Sequence, residues 1–260
     1  MSKIFVTSFN LLFFRGQPAL WDNEPGEKHI VYESFCADGT CLPPVIFTNK
    51  PTRTGILDFN LGKAFVHYVP DVKGPGNYTT QAYIEDMSDP NENYFADKPH
   101  MIFDSLKAHT SNDVLQDWKD NEVTTYQITG SAGKWLNPCD NIINREFRRN
   151  FNALQQQKPS NKLNNIVEAY YAISESTIIH SFERCGLFGG DPRRIIQKFE
   201  SEGFNIEGRH KDEFNEMWRS YITWLKKNFR DAEHFKPHQY PLNLEPEGLD
   251  GTYWKKYGKK

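Results

Sequence analysis

Apolar and polar positions near the start of the chain fall into three strand-length runs. Ile4 to Phe14 (IFVTSFNLLFF) is rich in aromatic and β-branched side chains and closes on Arg15-Gly16-Gln17-Pro18, which does not continue a ladder easily, so it predicts a first strand. Lys28 to Ala37 (KHIVYESFCA) predicts a second, Asp38-Gly39 marks a turn, and Pro44 to Thr48 (PVIFT) predicts a short third. The simplest arrangement of the three is an antiparallel meander.

From Pro51 to Pro99 the pattern is interrupted by Pro70, Gly74, Pro75, Gly76 and Pro90, and one helix, Asn77 to Met87, is legible. Pro99 to Phe103 then predicts a buried strand ending at Asp104. Ser111 to Asn121 predicts a helix capped by Ser111 or Asn112, and Thr124 to Ile128 another strand. Strand, helix and strand in succession imply parallel pairing. After a breaker-rich loop, Asp140 to Leu154 carries apolar side chains at 142, 143, 147, 151 and 154, one face of a helix with Asp140 in its first turn. Asn164 to Cys185 and Lys211 to Arg230 predict further amphipathic helices. Three prolines and a closing Lys-Lys-Tyr-Gly-Lys-Lys predict an extended basic tail from Pro237. The expectation is an α/β core over 1–158, a helical region over 159–236 and a tail over 237–260.

Composition narrows the class. Charged residues are 25% and aromatic residues 14% of the 260 positions, a globular balance with an aromatic interior. Thirty-one basic against 34 acidic side chains give a net charge of −3, so any surface for a polyanion must be local. Cys36, Cys41, Cys139 and Cys185 show no CxxC pair or metal-finger spacing, and no secretory leader is legible. These features predict a reduced, intracellular protein. No apolar run approaches the roughly 20 residues of a membrane span, which predicts no membrane partner.

The candidate chemistry lies in carboxylates. Asp104 directly follows Met-Ile-Phe, and a carboxylate at the end of a buried strand calls for a cation or hydrogen-bond donors. Asp140 opens a helix, where it can cap the helix or point across to Asp104.

Order and context sharpen this reading. Met101-Ile102-Phe103-Asp104-Ser105-Leu106-Lys107-Ala108-His109 resembles the apolar strand, Asp and following His of the DDE transposase and integrase superfamily. Asp140 lies 36 positions on, within Asn137-Pro138-Cys139-Asp140, which is similar to that superfamily's Asn-Pro-x-acid motif before the last catalytic helix. Cys36-Ala37-Asp38-Gly39-Thr40-Cys41-Leu42-Pro43-Pro44 resembles the Ala-Asp-Gly and Leu-Pro-Pro hairpin of its pogo branch, within the mariner superfamily, which includes centromere protein B and Jerky proteins. So does the run from Glu168 through Thr177-Ile178-Ile179 and Ser181-Phe182 to Cys185-Gly186-Leu187. Together the motifs cover roughly residues 1–190.

The resemblance implies an RNase H-like mixed sheet flanked by helices, with an appended C-terminal helical region. It implies DNA as partner, a nuclear location in a eukaryote, and Mg²⁺ or Mn²⁺ as cofactor of an active site, held by Asp104 and Asp140 as catalytic and metal-binding residues. It places His109, Arg145, Arg148 and Arg149 toward nucleic acid. Three acids are normally required, the first in the middle of strand one. Here that strand reads Ile-Phe-Val-Thr-Ser-Phe-Asn, and no acid precedes Asp22.

Thr7 or Ser8 stands where that carboxylate belongs. Asp22, in a Trp-Asp-Asn-Glu-Pro-Gly loop, and Asp38, in a hairpin turn, are the nearest substitutes, and both read first as solvated turn residues. The expected function is that of a transposase-derived protein acting on or binding DNA with a degenerate triad. An active divalent-metal endonuclease and a protein-interaction module are the alternatives. With strand one at the start of the sequence the family's helix-turn-helix region is expected to be absent, and a truncated or domesticated descendant, working as a homo-oligomer or beside a separate DNA-binding chain, is the expectation.

Overall fold

The computed structural model describes residues 4–14, 27–72, 74–104, 106–128 and 137–185. The helix over 211–230, the tail from 237 and Asp22 lie outside these residues.

One seven-stranded mixed sheet organises the described chain: β1 (Ile4–Phe14), β2 (Glu27–Cys36), β3 (Val45–Thr48), β4 (Gly55–Phe59), β5 (Gly62–Tyr68), β6 (His100–Asp104) and β7 (Thr124–Ile128), in the order β4-β5-β3-β2-β1-β6-β7. The first three strands pair antiparallel, and β6 and β7 add in parallel beside β1. Helices α1 (Asn77–Met87), α2 (Lys107–Thr110), α3 (Asn112–Asp120), α4 (Asn144–Gln157), α5 (Lys162–Tyr171) and α6 (Glu175–Arg184) flank the sheet, with a π-helical turn at Cys139–Ile143 leading into α4. This is the RNase H-like architecture that the motif order implied.

Alternation along the strands divides the interior in two. Tyr32 reaches α1, where its hydroxyl bonds Thr79 and Thr80 at 2.8 and 3.0 Å, and Ser34 meets the Tyr83 hydroxyl at 2.6 Å. Met101 and Phe103 join this face with Val114, Trp118 and Tyr83 in the main apolar cluster. On the other face Phe35 packs against Tyr170 with ring centroids 5.0 Å apart. The Tyr170 hydroxyl donates to the carbonyls of Leu42 and Ser34 at 2.6 and 3.0 Å, fastening α5 to the second hairpin strand. Gly39 turns that hairpin at φ +93°, and a Cβ there would come within 2.2 Å of Glu175 Cγ, so both backbone conformation and space require glycine.

Two elements depart from the sequence reading. The stretch from Pro51 to Pro99, in which one helix was expected, also holds the β4–β5 hairpin, with β5 parallel to β3. Strand β4 is an edge strand with an exposed Gly55 start and an exposed Asp58, so its apolar alternation is weak. The run from Asn164 to Cys185 forms two helices rather than one. Ser174 separates them, its hydroxyl accepting from the Thr177 amide at 3.2 Å as an N-terminal cap does.

Candidate functional site

Asp104 closes β6 behind Met101, Ile102 and Phe103, which are all but fully buried. Alternation turns Met101 and Phe103 toward α1 and α3, and puts Ile102 and Asp104 on the face of the C-terminal helices. The chain turns back at once through the four-residue α2, which brings a buried His109 to Asp104: Nδ1 lies 3.1 Å from Oδ1, and the Leu106 amide donates to the same oxygen at 3.1 Å. The five-residue spacing from Asp to His is thus the length of one turn and a return.

Burial pushes the Asp104 carboxyl up, yet the hydrogen bond and charge of His109, with the Leu106 amide, outweigh it and hold the group below its usual range. A carboxyl with a lowered folded-state pKa adds stability above its unfolded value and loses it as pH falls through the folded one. His109→Ala should therefore raise the Asp104 titration midpoint, followed by carboxyl ¹³C resonance against pH. An unchanged midpoint would mean the pair does not act on Asp104.

Asp140 is exposed, the second residue of the π-helical turn, and its Oδ1 accepts from the Asn144 side-chain Nδ2 at 3.3 Å. Asn137, itself buried, fixes the entry to that turn by accepting from the Cys139 amide at 3.0 Å. This explains the Asn-Pro start: a side-chain acceptor for an amide the helix cannot satisfy, then a residue suited to a helix's first turn. Single π-turns recur at functional sites.

Cys139, just before Asp140, is wholly buried. Burial raises its thiol well above the ordinary value, and the charges of Glu33, Asp140, Cys185 and Asp104 raise it further.

Glu33 was not among the residues singled out from sequence. It sits in the middle of β2, entirely buried, on the face opposite Tyr32 and Ser34. The available signal was an acid inside the apolar run His-Ile-Val-Tyr-Glu-Ser-Phe-Cys. Asp38, by contrast, spends Oδ1 on the Thr40 amide and hydroxyl at 2.9 and 2.6 Å, a turn role. Arg145, Arg148 and Arg149 lie exposed on α4 while Phe147 and Phe151 face inward, and Arg149 pairs with Glu146.

Carboxylate oxygens are the donors that Mg²⁺ and Mn²⁺ prefer. Among the described residues no three His, Cys, Asp or Glu side chains are already drawn together as a metal cage. The donor chemistry fits such an ion, and the set is not preassembled. No described helix is long and apolar enough to cross a membrane.

No family model and no curated protein matches the chain. Solved structures do. The chain is similar in fold to the Mos1 transposase. Its match to the catalytic domain of Mos1 mariner transposase is 10% identical, covers 78% of this chain and 84% of that one, and has a TM-score of 0.44. The match to a pre-cleavage Mos1 transpososome is 12% identical with a TM-score of 0.45, and covers 78% of this chain and 57% of that one. A Mos1 paired end complex with Mn matches at 10% identity and a TM-score of 0.43, over 77% of this chain and 55% of that one. The chain thus spans little more than half the length of the longer Mos1 chains.

Proposed function

We propose that this is a transposase-derived, RNase H-like protein that binds DNA along the edge formed by Asp104, Asp140 and α4, with a degenerate catalytic set. The observation that carries the reading is the placement of the two motif acids: Asp104 at a strand end beside its buried His109, and Asp140 on the turn into α4. When bound, a divalent cation there would screen the carboxylates from a phosphate backbone. Asp104 and Asp140 would hold it, and Arg145, Arg148 and Arg149 would touch phosphates. The degenerate set follows from β1, which offers Thr7 and Ser8 where a carboxylate belongs. A nuclear location and a separate DNA-binding chain or a second copy as partner complete the proposal.

Phosphate contacts make binding salt-dependent, with a slope of about −0.9 in log K against log salt for each phosphate neutralised on duplex DNA. Replacing Arg145, Arg148 and Arg149 together by glutamine should weaken duplex binding about equally across sequences and flatten the slope by roughly 2 to 3. Fluorescence anisotropy between 50 and 200 mM salt, about the range over which such contacts are lost, reads both quantities. Absence of duplex binding at the low end would sink the proposal, and an unchanged slope would move the DNA surface off α4.

A further inference from the structure

Far from the two motif acids, at the other edge of the sheet, a cavity of about 360 Å³ opens between β4, the β4–β5 turn and the first turn of α5. Its size falls in the range of small-ligand sites, about 300–1,000 Å³. Arg53, Asn60 and Asn164 form its polar rim, and Leu57, Phe59 and Leu163, each half-buried, form an apolar wall.

Neighbouring polar side chains on the same elements are engaged within the protein. Lys63 reaches Glu92 at 2.9 Å, Lys162 reaches Glu27 at 2.6 Å, and the Asn165 side chain donates to the Lys158 carbonyl at 2.8 Å. Arg53, Asn60 and Asn164 make no hydrogen bond or ion pair among the described residues, and all three border the one cavity. Beside them β4 pairs with β5 alone in the described sheet, and Ile56 is 39% exposed.

A guanidinium, two carboxamides and an apolar wall with one aromatic ring suit a particular ligand class. The guanidinium matches phosphate oxygens two at a time. A carboxamide offers a donor and an acceptor to the edge of a base, and an aromatic ring offers a face for the base to rest on. Asp58, also on the rim, disfavours a bare anion and can accept from a base amino group, so a nucleotide fits better than inorganic phosphate.

We propose that this cavity binds a nucleotide unit, its phosphate at Arg53 and its base against Phe59 and Leu163 with Asn60 and Asn164 at the base edge. The unit is either a free nucleotide or part of an unpaired DNA strand, and the strand form rests on the DNA reading above. Position supports the strand form. Helix α5 covers the sheet face that carries Asp104, and α4, with its three arginines, is joined to α5 by the Asn150 side chain donating to the Ala169 carbonyl at 3.4 Å. In the sheet order β4 stands five strand positions from β6, about 24 Å at about 4.8 Å per spacing, or about seven nucleotides at 3.4 Å each. A strand left unpaired beside a duplex on α4 can therefore span to the cavity.

The test measures fluorescence anisotropy of the full chain with a blunt duplex and with the same duplex carrying a single-stranded extension of about eight nucleotides, at about 50 mM salt. Isothermal titration with deoxynucleoside monophosphates and with inorganic phosphate runs beside it. Wild type is compared with Arg53→Gln and Asn164→Ala, each checked for folding by circular dichroism. The extension should tighten binding about tenfold, and each variant should lose most of that gain while holding the blunt duplex within about twofold of wild type. Mononucleotide binding, weakened in both variants and not matched by inorganic phosphate, would support the cavity with a free nucleotide as its ligand, even where no duplex binds and the DNA reading falls. An extension gain or mononucleotide binding that survives unchanged in both variants would overturn the proposal. So would a wild type that gains nothing from the extension and takes up no mononucleotide, and in that case blunt-duplex binding still judges the DNA reading separately.

Discussion

Trp118→Ala should lower stability by about 3–5 kcal/mol, the usual cost of emptying a large aromatic site in a packed core. Trp118 is 1% exposed and stands among Tyr83, Phe95 and Phe103, with ring centroids 6.0, 5.9 and 6.1 Å away. Those partners come from α1, from the segment before β6 and from β6 itself, so no single neighbour can move in to fill the space. For a chain of this size the loss corresponds to a melting temperature lower by on the order of 10 °C. Thermal unfolding followed by circular dichroism reads it. Trp118→Phe should cost less than its volume suggests, because the indole Nε1 is buried with no hydrogen-bond partner among the described residues, and phenylalanine removes that polar group. Leu115→Ala, at a 39% exposed position on the same helix, should stay within about 0.5 kcal/mol and serves as control. A Trp118→Ala protein melting with wild type would mean that α3 is not packed on the sheet as described.

The same packing bears on the site. Phe103 stacks on Trp118 and Asp104 follows it directly, so the strand end that aims the carboxylate is fixed from beneath by α3. A loosened α3 would free the turn through Leu106 to His109, whose length sets the Asp104–His109 contact. Structure and chemistry meet in one β-α-β unit.

That unit was legible in the sequence because its signals are local. An apolar run ending in an acid, a histidine one turn on, and an amphipathic helix capped after Ser111 each follow from neighbouring residues. The helix starts after Ser111, although no backbone amide of its first turn donates to the serine hydroxyl. Asn77 to Met87 was legible for the same reason, its start marked by Pro75-Gly76. The β4–β5 hairpin was not, because an edge strand needs little apolar alternation and shows little. Glu33 was missed for a different reason. Its burial comes from packing of the strand between layers, and no spacing along the chain encodes that. The divided helix over 164–185 lies between these cases: Ser174-Glu175-Ser176-Thr177 is a capping signal inside an unbroken amphipathic pattern, and the cap wins.

Supercoiled plasmid incubated with the purified protein and Mg²⁺ or Mn²⁺ should be nicked at a rate lower, by on the order of 10² or more, than once Ser8→Asp returns an acid to β1. Two-metal hydrolysis depends on where its ligands put the attacking oxygen, and a reacting group displaced by about 1 Å can already cost this much. Binding and cutting therefore come apart: wild type should bind duplex while cutting poorly. Ser8→Asp, which adds the β1 acid opposite Glu33, should gain nicking that Asp104→Ala and Asp140→Ala each abolish in the Ser8→Asp background. Rapid metal-dependent nicking by the wild type would overturn the degenerate reading. No gain from Ser8→Asp in a folded protein that still binds Mn²⁺ would show that the β1 position alone does not limit catalysis.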